Sequence, residues 1–144
     1  MLSERFRRTE TKDNKTAKSV FQIGGAGAVG TGSIRGMPHL HALSDHGFGI
    51  WPFDSAKSPL VIEIYPRALT GAVTKGRWAE RHDLLRRRFA SQPPEMLERA
   101  AGSEDAFDAA VSALVMAEYQ DQIAALTTTT DDAVAIEGKV WTPG

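Results

Sequence analysis

The sequence predicts an α/β fold built on one sheet. Three observations carry that reading. Leu60-Val-Ile-Glu-Ile-Tyr65 is a β-branched, nearly all-apolar run stopped by Pro66, the pattern of a strand buried on both faces. Two amphipathic helical patterns follow it, over 77–90 and roughly 104–126. A shorter apolar run, Val20-Phe-Gln-Ile23, precedes a glycine-rich segment and a further helical pattern. Strands alternating with helices define the class.

The 144 residues suit about one domain. Hydrophobic residues are 42% and charged residues 24%, so most of the chain can bury a core. Seventeen Lys and Arg against 18 Asp and Glu leave a net charge of −1. That excludes a basic coat over the whole chain but leaves room for a local patch. With no cysteine, disulfides, thiolate metal sites and cysteine nucleophiles are ruled out. No apolar run reaches the ~18 residues of a membrane span. The start, Met1-Leu-Ser-Glu-Arg-Phe-Arg-Arg8, lacks the apolar core of a signal peptide. A cytoplasmic protein with no membrane partner is expected.

Residues 1–18 carry six Lys/Arg and three Asp/Glu, with Leu2 and Phe6 the large apolar side chains besides Met1. Too little apolar surface is present to offset ordering entropy, so an arm or loop is expected there. The domain is expected to span 19–144. Val20–Ile23 reads as a short strand ended by Gly24-Gly25. Six glycines fall among the thirteen residues 24–36, a loop with unusual backbone angles or close approaches. A helix is expected over 37–46, with Pro38 in its first turn and Gly47 after its end.

Phe48–Phe53 reads as a strand pushed toward an edge by Pro52, and 54–59 as a turn. Helix 77–90 turns Trp78, Leu85 and Phe89 inward, with Arg77, Arg81, Arg87 and Arg88 off that stripe. Pro93-Pro94 breaks the chain before a short helix near 95–101. Ser103 is a good N-cap for the long helix, whose core stripe is Phe107, Ala110, Val111 and Leu114. Thr127–Thr130 is a loop. Val134–Trp141 reads as a hairpin or terminal strand. No repeat is present.

Chemistry is suggested first by Glu63, a carboxylate inside the most apolar strand. Leaving it charged and unpaired there would cost several kcal/mol. It either pairs with an arginine, lies at an exposed edge, or serves a site. Asp105 and Asp108, three apart, share a helix face. The helix dipole accounts for acids in the first turn, Glu104 and Asp105, and less well for Asp108 beside Ala109, Ala110 and Ser112. Were the helix to pack beside the strand, Glu63, Asp105 and Asp108 would converge and require a cation. All-oxygen ligation selects Mg²⁺ or Mn²⁺, which would serve phosphodiester cleavage.

Three blocks carry a family resemblance: Val61-Ile-Glu-Ile-Tyr-Pro-Arg67, Ser103–Ala117 and Ile136–Pro143. Together with Phe21–Pro38 they resemble an uncharacterised family of predicted RNase H-like nucleases, near the RuvC-type resolvases, over about residues 19–143. The resemblance implies a ribonuclease H-like mixed sheet with flanking helices and a two-metal site. Its middle-strand acid falls on Glu63, and its D-x-x-D pair falls on Asp105 and Asp108. The first-strand aspartate of that pattern has no counterpart, because Asp13 has no strand-like neighbours. The chain therefore resembles the C-terminal part of a family member whose first strands are missing. That implies little activity alone and an uncovered sheet edge open to self-association.

Nucleic-acid contacts would fall to the glycine segment with Arg35, to Arg67, and to the basic helix through Arg81. The alternative for that helix is a solvated face paired at i,i+4. Gly25, Gly27 and Gly30 also match G-x-G-x-x-G, with Asp54 placed for a ribose, which would make a dinucleotide site. Gly32, Gly36 and Pro38 argue against the helix such a site needs. A phosphate cradle or a structural loop suits the same glycines. A non-catalytic remnant or scaffold is the remaining class. His39, His41, His46 and His82 show no metal-ligand spacing and are expected at the surface.

Overall fold

The computed structural model describes residues 6, 7, 10, 19–25, 28–55 and 58–144. Helices dominate: α1 (Gly30–Asp45), α2 (Pro66–Thr70), α3 (Trp78–Arg88), α4 (Pro94–Ala101), α5 (Glu104–Glu118), α6 (Gln120–Ala124) and α7 (Asp132–Glu137). Two short strands, β1 (Gly49–Ile50) and β2 (Leu60–Val61), pair in parallel, with Gly49 opposite Leu60 and Ile50 opposite Val61. The chain divides into two compact units. Unit 1 comprises residues 1–63 and 124–141, and unit 2 residues 64–123 and 142–144. The residues expected to form one domain over 19–144 are thus shared between two units.

In unit 1, α1 packs against β1. It begins inside the glycine segment, seven residues before the expected start at 37. Gly30 makes that start possible. A Cβ there would lie 2.2 Å from the carbonyl oxygen of Val20 and 2.9 Å from that of Gln22. The Gly30 N–H donates to the same Gln22 carbonyl at 3.0 Å, and the Thr31 hydroxyl donates to Ile23 at 2.8 Å. Residues 20–21 consequently form a turn against the helix start, not the expected strand. Pro38 lies inside α1, where it forgoes one intrahelical hydrogen bond.

The apolar run 60–65 is paired with β1 for only two residues, Leu60 and Val61. Trp141 N–H donates to the Glu63 carbonyl at 2.8 Å beyond them. The expected central strand is therefore a short edge, and the mixed sheet reduces to β1 and β2 among the described residues. Of the hairpin or terminal strand expected over 134–141, residues 134–137 instead belong to α7, capped by the Asp131 side chain, which accepts from Ala133 and Val134 N–H. Trp51 and Trp141 are buried in this unit, and Trp51 Nε1–H donates to the Thr127 carbonyl at 3.1 Å.

Unit 2 packs α2 and α4 on α5, and α3 on α4. Its core is Leu69, Leu85, Phe89, Leu97, Phe107, Val111 and Val115. Here apolar spacing dictates the outcome. Ser103 Oγ accepts from Ala106 N–H at 3.0 Å and starts α5 at Glu104 as expected. The expected long helix stops at Tyr119, whose backbone leaves helical angles, and resumes as α6. No helix among the described residues is long and apolar enough to cross a membrane.

Candidate functional site

Glu63 is exposed, with 46% of its side chain accessible, and not the buried carboxylate its strand suggested. The reason is the short pairing of β2, which leaves residue 63 outside the ladder. Its carboxylate receives both ends of the Arg7 guanidinium, Nη2 at 2.6 Å and Nη1 at 2.8 Å. Arg7 Nε donates to Glu10 Oε1 at 2.9 Å, and Nη1 reaches the Glu137 carbonyl at 3.3 Å. The arm expected over 1–18 lies outside the described residues except at Phe6, Arg7 and Glu10. Of these, Arg7 and Glu10 are buried. The hydrogen bond from Glu63 pushes the Arg7 pKa further up, against the opposing effect of burial.

In unit 2, Asp105 is exposed in the first turn of α5. One turn on, the Asp108 carboxylate meets Lys75, with Nζ 2.6 Å from Oδ1 and 2.7 Å from Oδ2. Among the described residues no three His, Asp or Glu side chains form a metal-holding group. The chemistry of the donors decides the fit. Glu63 is neutralised bidentately by an arginine and Asp108 by a lysine, each within its own unit. A divalent cation would have to displace those partners and would face their repulsion. In this arrangement Glu63, Asp105 and Asp108 do not suit Mg²⁺ or Mn²⁺.

The basic residues are also largely committed. Arg81 is buried, unlike the solvent-facing contact expected of it. Its Nε donates to the Ala101 carbonyl at 2.9 Å and its Nη1 to the Lys75 carbonyl. It ties the last turn of α4 to the loop before α3. Arg67 Nη1 donates to the Val73 carbonyl at 2.7 Å. Arg77, Arg87 and Arg88 pair with Glu80, Asp83 and Glu118. Arg35 is exposed on α1.

The glycine segment divides. Gly25 holds a positive φ of 86°, Gly27 lies outside the described residues, and Gly30 begins α1. A helix starting at the third glycine is what a dinucleotide unit requires. The preceding strand is absent among the described residues, however, and Asp54 Oδ2 accepts from the Ile50 N–H at 2.9 Å.

The feature that sequence reasoning missed is a cavity of about 470 Å³ in unit 1. One wall comes from α1 through Ser33, Gly36, Met37 and Leu40. Ile50, Trp51 and Phe53 form a second, and Val61 and Ile62 a third. The polar part of the lining is the Arg7–Glu63 pair, Glu137 and Lys139, with Lys139 Nζ 5.7 Å from the Trp51 ring centroid. The signal was Met37 and Leu40 at helical spacing, obscured because the glycines before them lower helix propensity. No family model, curated protein or solved structure matches the chain.

Proposed function

We propose that the chain is a binding module whose unit 1 takes a small, predominantly apolar molecule. The cavity carries this reading. Its volume lies within the few hundred to ~1,000 Å³ usual for ligand sites, and its walls combine aromatic and aliphatic side chains with a few polar groups. Gly36 on the α1 wall has open space where a Cβ would stand, so that wall presents little bulk to an occupant. The hydrogen bonds of Arg7 to Glu63 and to the Glu137 carbonyl tie three lining residues together without an occupant, which limits the ordering cost of binding. Binding of 1-anilinonaphthalene-8-sulfonate tests it. Saturable one-to-one fluorescence is expected, and Met37→Glu should weaken it at least about tenfold, because a bound dye would cover the new carboxylate and strip its water. Met37 is 59% exposed, so its replacement leaves the fold intact. Equal dye binding by wild type and Met37→Glu contradicts the reading.

A ribonuclease H-like nuclease is the second reading. It is supported by the family resemblance and by α5, whose cap sets Asp105 and Asp108 on neighbouring turns. The cation-paired carboxylates speak against cleavage by this chain alone. Negligible hydrolysis of single- and double-stranded DNA and RNA is expected in Mg²⁺ or Mn²⁺. Cleavage that is lost in Asp108→Asn would restore the nuclease assignment.

A further inference from the structure

We propose that a second, smaller cavity, in unit 2, binds a small carboxylate carrying a compact apolar body. Among the described residues α3 and its N-cap residue Arg77 present five arginines, and four are engaged. Arg77, Arg87 and Arg88 face carboxylates at 3.1, 2.9 and 3.1 Å, and Arg81 is buried against backbone carbonyls. Arg86 alone has neither kind of partner among the described residues. It borders a cavity of about 170 Å³ at the turn between α3 and α4. Ala90, Pro94 and Leu97 give that cavity an apolar wall, and Gln92 adds an amide.

The carboxylate that also lines the cavity, Glu98, already has a hydrogen-bond donor. His82 Nε2 donates to Glu98 Oε1 at 2.7 Å. The imidazole is held flat against Trp78, with ring centroids 4.6 Å apart and planes 14° from parallel. Glu98 is therefore turned toward His82, and the Arg86 guanidinium is left as the free charge. A planar fork of N–H donors matches a carboxylate with two parallel hydrogen bonds. The apolar wall then covers the body behind that carboxylate, and removing that apolar surface from water favours binding. The small volume suits a single ring or short branched chain. The site is independent of the unit 1 cavity.

Benzoate titrated into the full chain, followed by amide NMR, tests the assignment. Saturable shifts are expected at the Gln92 side-chain amide and around Leu97. Arg86→Gln should weaken binding about tenfold or more, as removal of a charged hydrogen-bond partner does. Arg86→Lys should recover only part, since it keeps the charge and loses the fork. Arg87→Gln, an exposed arginine one residue along that does not line the cavity, should bind as wild type. Equal loss in Arg86→Gln and Arg87→Gln overturns the site. Inorganic phosphate binding as tightly as benzoate overturns the carboxylate class, and no saturable shift overturns both.

Discussion

Arg7→Ala is the perturbation that most severely tests how unit 1 is held together. It removes a guanidinium that serves two carboxylates of unequal burial. Glu10 has only 2% of its side chain exposed, and Glu63 has 46%. An exposed pair contributes about 0–1 kcal/mol, so Glu63 accounts for little. Glu10 is different. Deleting one partner of a buried pair leaves the other charge uncompensated, at a cost of about 3–5 kcal/mol. The Arg7 N–H to Glu10 Oε2 bond at 3.0 Å survives the change and retains part of the compensation. A loss of about 2–4 kcal/mol follows for unit 1. Urea unfolding monitored by tryptophan fluorescence measures it, since Trp51 and Trp141 report on this unit. The double variant Arg7→Ala/Glu10→Ala should regain part of the loss, because no charge is stranded. A change under about 0.5 kcal/mol for Arg7→Ala, the range of ordinary surface substitutions, would refute the reasoning.

Three further outcomes follow from the same structure. Gly30→Ala would drive a Cβ into the backbone carbonyls of Val20 and Gln22, which cannot swing aside as a side chain can. A loss of about 1–3 kcal/mol is expected, and a wild-type urea midpoint would contradict the close approach. The Thr74 backbone N–H, with Arg77, holds the Glu80 pKa below its ordinary value of 4.5. A lowered folded-state pKa gives stability that is present above 4.5 and lost as pH falls through the lower folded value. Glu80→Gln should therefore flatten the acid limb of stability, and an unchanged limb would count against that hydrogen bond. Finally, Phe21, Ile23, Ile34, Met37, Phe53 and Ile136 are all exposed in unit 1. Sedimentation velocity should show concentration-dependent association, reduced by Ile136→Glu, and a strict monomer at every concentration would contradict it.

The helices of unit 2 were legible because local signals and packing agree there. Leu85 and Phe89 face inward as their spacing required, whereas Trp78 on the same stripe is exposed, its ring stacked on His82. Ser103 caps α5 as a serine before an acidic first turn should. Unit 1 was less legible, and each failure has a physical cause. A strand exists only if a neighbour supplies hydrogen bonds, so the apolar run 60–65 could be recognised but not its two-residue pairing. The Asp131 cap and Gly138, whose φ is 74°, mark both ends of α7. They were outweighed by the β-branched Val134 and Ile136. The helix expected over 37–46 is the later part of α1; its first turns were hidden by their glycines, which a single-residue propensity penalises and of which the close approach at residue 30 requires one.

Sequence also indicated which residues carry charge but not whom they meet. Glu63 was singled out as an acid needing a partner, and pairing with an arginine was among its options. That the arginine is Arg7, 56 positions earlier, depends on chain path alone. Asp108 shows the same limit, since nothing local points to Lys75. The unit 1 cavity arises from segments dispersed from Arg7 to Lys139, so no contiguous motif announces it.

The central claim is that the unit 1 cavity receives a small apolar molecule. Methyl-detected NMR of the full chain titrated with indole tests it most directly. The methyl groups of Met37, Leu40, Ile50, Val61 and Ile62 line one cavity, so they should shift together with a single dissociation constant. Intermolecular contacts from the indole ring should reach Met37 and Val61 in the same complex, while the core methyl groups of Leu85 and Val111 stay unmoved. Uniform small shifts across both units, with no saturation and no contact to Met37 or Val61, would contradict the account.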